Sequence, residues 1–198
     1  MNWLSNLFSN ATNHPDFWKA YEAAFQQKNN SRVVVLDCET TGLKPTKDKI
    51  LSIGAIALQN NVICVKDQFS VLLKQDFRSA ESIPIHGIVE NKRNTYLSEE
   101  EAIVQLLQFL GNAKIVGHHI QFDIHMINQA LQKLGLPELK NKVQDTNDLY
   151  AKFKGVQYPF HKSLDDLCKE FKIATKDRHT ALGDAFLTAQ IYQRMQIT

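Results

Sequence analysis

Residues 33–43, VVVLDCETTGL, limit what this chain can fold into more than any other stretch. Three valines and a leucine favour a buried strand, because β-branched side chains fit a packed, pleated surface. The strand ends in two acids, Asp37 and Glu39, and alternation turns both to one face, with Cys38 on the other as a core residue. Two carboxylates on one half-buried face repel each other unless a cation lies between them. Hard oxygen ligands suit Mg²⁺ or Mn²⁺, so a divalent-metal site predicts further acids in similar settings.

Two such acids are present. Asp123 lies in GHHIQFD, after the short strand KIVGH (114–118) and at the start of a helix. Asp184 lies in RHTALGDAF, one turn into the last helix, beside core-like Leu182, Ala185, Phe186 and Ala189. His179 stands five residues before Asp184, just ahead of a Thr180 cap. Three segments thus each supply an acid among apolar neighbours, and the third adds a group that titrates near neutral pH.

The remaining pattern predicts an α/β domain. ILSIGAIAL (50–58) and VICVKDQFSVLL (62–73), joined by Gln59-Asn60-Asn61, complete a three-stranded meander with the first strand. Ser98 and Glu101 form a capping box opening a helix to Gly111. FDIHMINQALQKLG reads as a helix closed by Gly135 and Pro137. Ser163 caps a helix through Phe171, and Thr180 caps the last, through about Met195. A mixed central sheet flanked by helices follows, with the acids where open α/β sheets place their ligands.

Residues 1–31 read as a helical extension before the polar break QQKNNSR. Trp3, Leu4, Leu7 and Phe8 mark one helix, and Phe17, Tyr21, Ala24 and Phe25 a second that starts at Pro15-Asp16. Packing on the main domain, residues 32–198, is their expected role, with a docking arm as the alternative. The net charge of +2 does not by itself select a nucleic-acid partner. Three scattered cysteines and the lack of a signal peptide or long apolar run predict a soluble, cytoplasmic protein without a membrane partner.

DCETTG, HHIQFD and HTALGD, in this order and spacing, resemble the three motifs of the DEDD-type 3′–5′ exonucleases, in the branch with histidine in its third motif. Within it the likeness is nearest to the epsilon proofreading subunits of bacterial DNA polymerase III. IPIHGI (83–88), QDTNDLY (144–150) and SLDDLCKEFKI (163–173) are also similar to family segments. The resemblance implies a ribonuclease-H-like exonuclease fold, two divalent ions (Mg²⁺ or Mn²⁺), and hydrolysis of single-stranded or frayed DNA from a free 3′ end.

By motif position Asp37, Glu39 and Asp184 would hold one ion. Asp37 would bridge to a second, which Asp123 would bind partly through water, and His179 would be the general base. Thr40, Leu43, His86 and Phe122 match substrate-contact positions, although Leu43 and Phe122 also read as core and His86 as a loop histidine. Lys44, Lys47, Lys49, Lys92, Arg93, Lys176 and Arg178 flank the motifs, to track a phosphate backbone or to be solvated surface.

Relatives carry Asn where this chain has His119, which leaves open what that amide does. The cluster His118, His119 and His125 lacks the ligand spacing of a zinc site. The chain ends straight after the last helix, without the tail by which polymerase-bound epsilon subunits dock. A DNA polymerase subunit is one candidate partner, with the N-terminal helices in place of that tail; an enzyme that acts alone is the alternative. An exoribonuclease of the same family and a non-catalytic nucleic-acid-binding module are the competing readings.

Overall fold

The computed structural model describes residues 14–28, 31–74, 95–156, 161–176 and 178–196. The expected first helix around Trp3–Phe8, the IPIHGI segment with His86, and Lys92 and Arg93 lie outside the described residues.

Among these residues the chain runs α1 (Asp16–Ala24), β1 (Arg32–Thr40), β2 (Ile50–Gln59), β3 (Val62–Leu73), β4 (Tyr96–Leu97), α2 (Glu99–Leu110), β5 (Lys114–Gly117), α3 (Gln121–Lys133), β6 (Val143–Asp145), α4 (Thr146–Lys154), α5 (Leu164–Glu170) and α6 (Ala181–Met195). The strands form one sheet in the order β4-β3-β2-β1-β5-β6. β1, β2 and β3 are the antiparallel meander, while β5 pairs parallel to β1, and β6 parallel to β5. The mixed sheet is therefore as expected. β4, β6 and α4 are additions that the hydrophobic pattern did not reveal.

Local chemistry accounts for the joints. Asn60 and Asn61 both adopt positive φ (50° and 62°), the pair of left-handed residues that a tight β2–β3 hairpin needs. The capping box at Ser98 is complete, with the Glu101 amide donating to Ser98 Oγ and the Ser98 amide to Glu101 Oε2.

Alternation in β1 divides the interior in two. Val34 and Leu36 face a cluster built with α1, α2 and α3, and half-buried Cys38 packs against the same side, as its position predicted. Val35 faces a second cluster built with α4, α5 and α6. One strand therefore touches both cores.

α1 is fastened to the first of them. Trp18 is fully buried, and its ring lies 5.0 Å from that of Tyr21. Tyr21 Oη donates to Asn141 Oδ1 at 2.6 Å and accepts from the Lys140 amide. Asn141 Nδ2 in turn donates to the Gly111 and Ala113 carbonyls, tying this helix to the entry of β5. The second expected helix thus packs on the domain. Removing an indole of this burial costs about 3–5 kcal/mol, so Trp18→Ala is expected to lose that much in equilibrium urea unfolding, whereas a detached arm predicts no change.

Candidate active site

β1 delivers the first two acids where the sheet opens. β5 pairs with β1 only as far as Val35, so among the described residues no strand lies beside the β1 edge beyond Leu36. A register shift lies between Glu39 and Thr40 against β2, and bulges of this kind re-aim side chains at strand ends.

Asp123 fills that free edge from the first-cluster side. It lies in the first turn of α3, 4% exposed, and its Oδ1 accepts the Cys38 amide at 2.9 Å. The turn from β5 into α3 makes this approach feasible, with His119 at φ 53°. Asn and His are both enriched among residues of left-handed backbone. His119 meets a backbone requirement of this kind. Asp145, at the end of β6, fixes the same corner by accepting the amides of Ile120 (2.9 Å) and Asn147 (2.8 Å).

Asp184 arrives from the opposite side. The α6 N-terminus, capped by Thr180 Oγ1 from the Gly183 amide, lies directly on β2 at Gly54, the residue paired with Asp37. A Cβ at Gly54 would stand 2.1 Å from the Leu182 amide nitrogen, so only glycine admits this helix. Asp184 is 7% exposed. One ligand oxygen each from Asp37, Glu39 and Asp184 lie within 4.8 Å of one another, the only such metal-ligating group among the described residues. Asp123 stands outside that trio but close enough to act on Asp37 electrostatically.

Burial is the main force on Asp37, Glu39 and Asp123. It pushes the Asp37 pKa well above the carboxylate range, and the charges of Asp123, Asp184 and Glu39 push the same way. Burial and then Asp184 raise Glu39 to about 7. Burial also raises Asp123, against the pull of the Cys38 amide. One cation opposes the trend: Arg178 Nη1 forms an ion pair with Asp184 Oδ2, and its Nε with Asp165 Oδ1 at 2.8 Å. Arg178 is therefore engaged by two carboxylates. Asp184 Oδ1 is buried and has no hydrogen-bond partner among the described residues.

His179 is exposed between Arg178 and the Thr180 cap of α6, at φ 62°. His118 is different: its Nδ1 lies 2.7 Å from Thr146 Oγ1, and burial lowers its pKa to about 4, so it is neutral in the fold. Beyond β1, Thr40 is buried and donates to the Gly42 carbonyl at 2.8 Å. Asp48 braces the same loop, accepting from Thr41 Oγ1 and the Lys44 amide. A Cβ on Gly42 would meet that carboxylate at 2.7 Å. The braced loop leaves Leu43 83% exposed, which rules out its core reading, with exposed Lys44, Lys47 and Lys49 nearby. Phe122 is half-buried against the first cluster. Phe186, expected in the core, is 37% exposed on α6 because it faces away from both clusters.

Gly54, Asp48 and Asp145 are positioning residues that the sequence pattern did not single out. The one cue was a glycine inside an otherwise apolar strand, which marks close backbone approach.

The profile of the exonuclease family matches residues 34–192. A PolC-type DNA polymerase III from Halalkalibacterium halodurans is 33% identical over 179 residues, covering 89% of this chain and 12% of that protein. The epsilon subunit of DNA polymerase III from Buchnera aphidicola is 32% identical over 178 residues, covering 85% of this chain and 72% of that one. The chain therefore spans about a tenth of the PolC-type relatives. Among solved structures, E. coli exonuclease I in complex with a dT13 oligonucleotide superposes with a TM-score of 0.69 at 16% identity, over 84% of this chain and 41% of that one. Cell-death related nuclease 4 gives 0.67 at 16%, over 84% and 64%. These structures share the fold, the ribonuclease-H-like exonuclease architecture expected from the motifs.

Two expectations follow from the geometry. Gly54→Val should force α6 off the sheet, leaving far-ultraviolet circular dichroism near wild type but abolishing divalent-metal binding in calorimetry; intact binding would contradict the docking role. The second concerns Glu39, whose pKa rises from 4.5 to about 7 on folding, so protonation favours the fold. That stability is present below about pH 4.5 and is lost as pH rises through 7. In EDTA the Tm should fall by several degrees between pH 5 and pH 8, and Mg²⁺ or Mn²⁺ should restore it at pH 8; a rising Tm would contradict this.

Proposed function

The chain belongs to the exonuclease family, and from that premise we propose that it hydrolyses single-stranded or frayed DNA in the 3′–5′ direction with divalent metal ions. One observation carries the reading. Asp37, Glu39 and Asp184 converge within 4.8 Å, and one buried Asp184 oxygen has no hydrogen-bond partner among the described residues. An unpartnered buried carboxylate oxygen is costly, and a hard cation removes that cost.

The donor set thus fits Mg²⁺ or Mn²⁺: Asp37, Glu39 and Asp184 would hold one ion, and Asp37 with Asp123 a second. Bound there, such ions would supply Lewis-acid stabilisation of the charge on the attacking and leaving oxygens.

The protein's own groups do the rest. The Cys38 amide holds Asp123 in a fixed orientation. His179, exposed and next in chain to Arg178, which touches Asp184, would take the proton from the attacking water. The burial of His118 and its low pKa disfavour it for that task. Leu43, raised on its braced loop, would lie against the terminal base, with Phe122 and the Thr40 turn beside it. Exposed Lys44, Lys47 and Lys49 would meet the phosphate backbone.

DNA is favoured as substrate by the names of the relatives, which are DNA polymerase III components, and by the oligonucleotide bound to exonuclease I. A DNA polymerase subunit is accordingly the proposed protein partner, and the cytoplasm the proposed location. No helix among the described residues is long and apolar enough to cross a membrane. Residues 32–198 are assigned as the exonuclease domain and 1–31 as its extension.

The assay uses 3′-labelled and 5′-labelled DNA and RNA oligonucleotides with Mg²⁺, Mn²⁺ or EDTA. Metal-dependent release of 3′ nucleotides from DNA is expected. Faster cleavage of RNA would transfer the proposal to an exoribonuclease, and no cleavage of either would leave a binding module. His179→Ala should lower kcat by about 10²–10⁴-fold, the range of general-base catalysis, with Tm unchanged; near-wild-type turnover would remove His179 from the mechanism.

A further inference from the structure

Asp184 is held unevenly. Oδ2 is taken by Arg178, while Oδ1 is buried with no hydrogen-bond partner among the described residues. A carboxylate free to rotate would share its oxygens between the two directions, so the division needs a fixed partner.

Arg178 has the means to be one. Its side chain is 17% exposed, and three of its nitrogens are occupied by carboxylates: Nη1 by Asp184, Nε by Asp165 Oδ1 at 2.8 Å, and Nη2 by Asp165 Oδ2 at 3.4 Å. Asp165 stands in the first turn of α5, an element separate from the helix that carries Asp184. The guanidinium is planar and presents its donors in a rigid fork. Seating one side of that fork on α5 fixes the direction of the other side toward α6. A lysine ammonium keeps the charge but has no such fork.

We propose that Arg178 is a positioning residue: seated on Asp165, it holds Oδ2 of Asp184 so that Oδ1 faces the divalent cation. This rests on the metal-site reading above. The same clamp fastens the segment that carries His179, the next residue, whose backbone is left-handed. Arg178 therefore acts through Asp184 and His179.

The experiment measures Mn²⁺ binding by calorimetry at pH 8 for the full chain, Arg178→Lys and Asp165→Asn, each checked by circular dichroism. Outer-shell partners of metal ligands typically carry about 10–100-fold in affinity, so Arg178→Lys should bind Mn²⁺ at least tenfold more weakly although the charge is kept. Asp165→Asn should weaken binding severalfold with an unchanged Tm, since Asp165 is largely exposed and contributes little to the fold. In activity, the Mn²⁺ concentration for half-maximal rate should shift while kcat at saturating Mn²⁺ changes less. Unchanged or tighter Mn²⁺ binding in Arg178→Lys would overturn the proposal, because Arg178 would then only neutralise or compete. If Arg178→Lys does not fold, unchanged binding in Asp165→Asn overturns it. Failure of the wild type to bind Mn²⁺ would instead overturn the metal-site reading itself.

Discussion

The mutual repulsion of the buried acids at the end of β1 is the constraint on which the arrangement depends. Burial and neighbouring carboxylates raise the cost of ionising Asp37, Glu39 and Asp123, and it is offset by the Arg178 charge at Asp37 and Glu39 and by the Cys38 amide at Asp123. A fold that brings such groups together must hold them by stronger forces than those that push them apart. Here those forces are apolar burial on both faces of β1 and the backbone hydrogen bonds that fix each acid's approach. The strand is anchored by Val34, Val35 and Leu36, all fully buried, immediately before the first acid.

Each acid is brought by a different device. Asp37 and Glu39 are set by strand alternation, Asp123 by the left-handed turn at His119 and the amide of Cys38, and Asp184 by the contact of α6 with Gly54. None is carried by a long loop. Loops instead surround the site: the Asp48-braced loop presents Leu43, and the residues before α6 carry Arg178 and His179. The rigid part thus fixes the charges, and the exposed part faces what approaches them.

Much of this was legible in the chain. The meander, the capped helices and the acids showed through because each leaves a local signal: period-two alternation, a Ser or Thr before a helical run, a carboxylate among apolar residues. Elements without a local signal stayed hidden. β4 has two residues and β6 three, too few for any period, and α4 is announced only by Asp145 as its cap. Gly54 looked like an ordinary small residue, since its importance comes from a helix about 130 residues later that only tertiary packing brings against it. Arg178 was misread for the same reason. Its charge was visible, but its carboxylate partners lie on two different helices. Phe186 was placed in the core by composition, whereas helix geometry turned it outward.

β1 touches both hydrophobic clusters, as β2 and β5 do, and the acids stand at its end, one delivered from each cluster to join the two that it carries itself. A cation bound across Asp37 and Asp184 would therefore join β1 to the second core, and one across Asp37 and Asp123 would join it to the first. Binding energy at such a site is also cohesion energy between two halves of the interior, because any ligand that prefers the folded state stabilises it by mass action. Catalytic readiness and thermal endurance then become the same variable, set by how much metal is available to the protein.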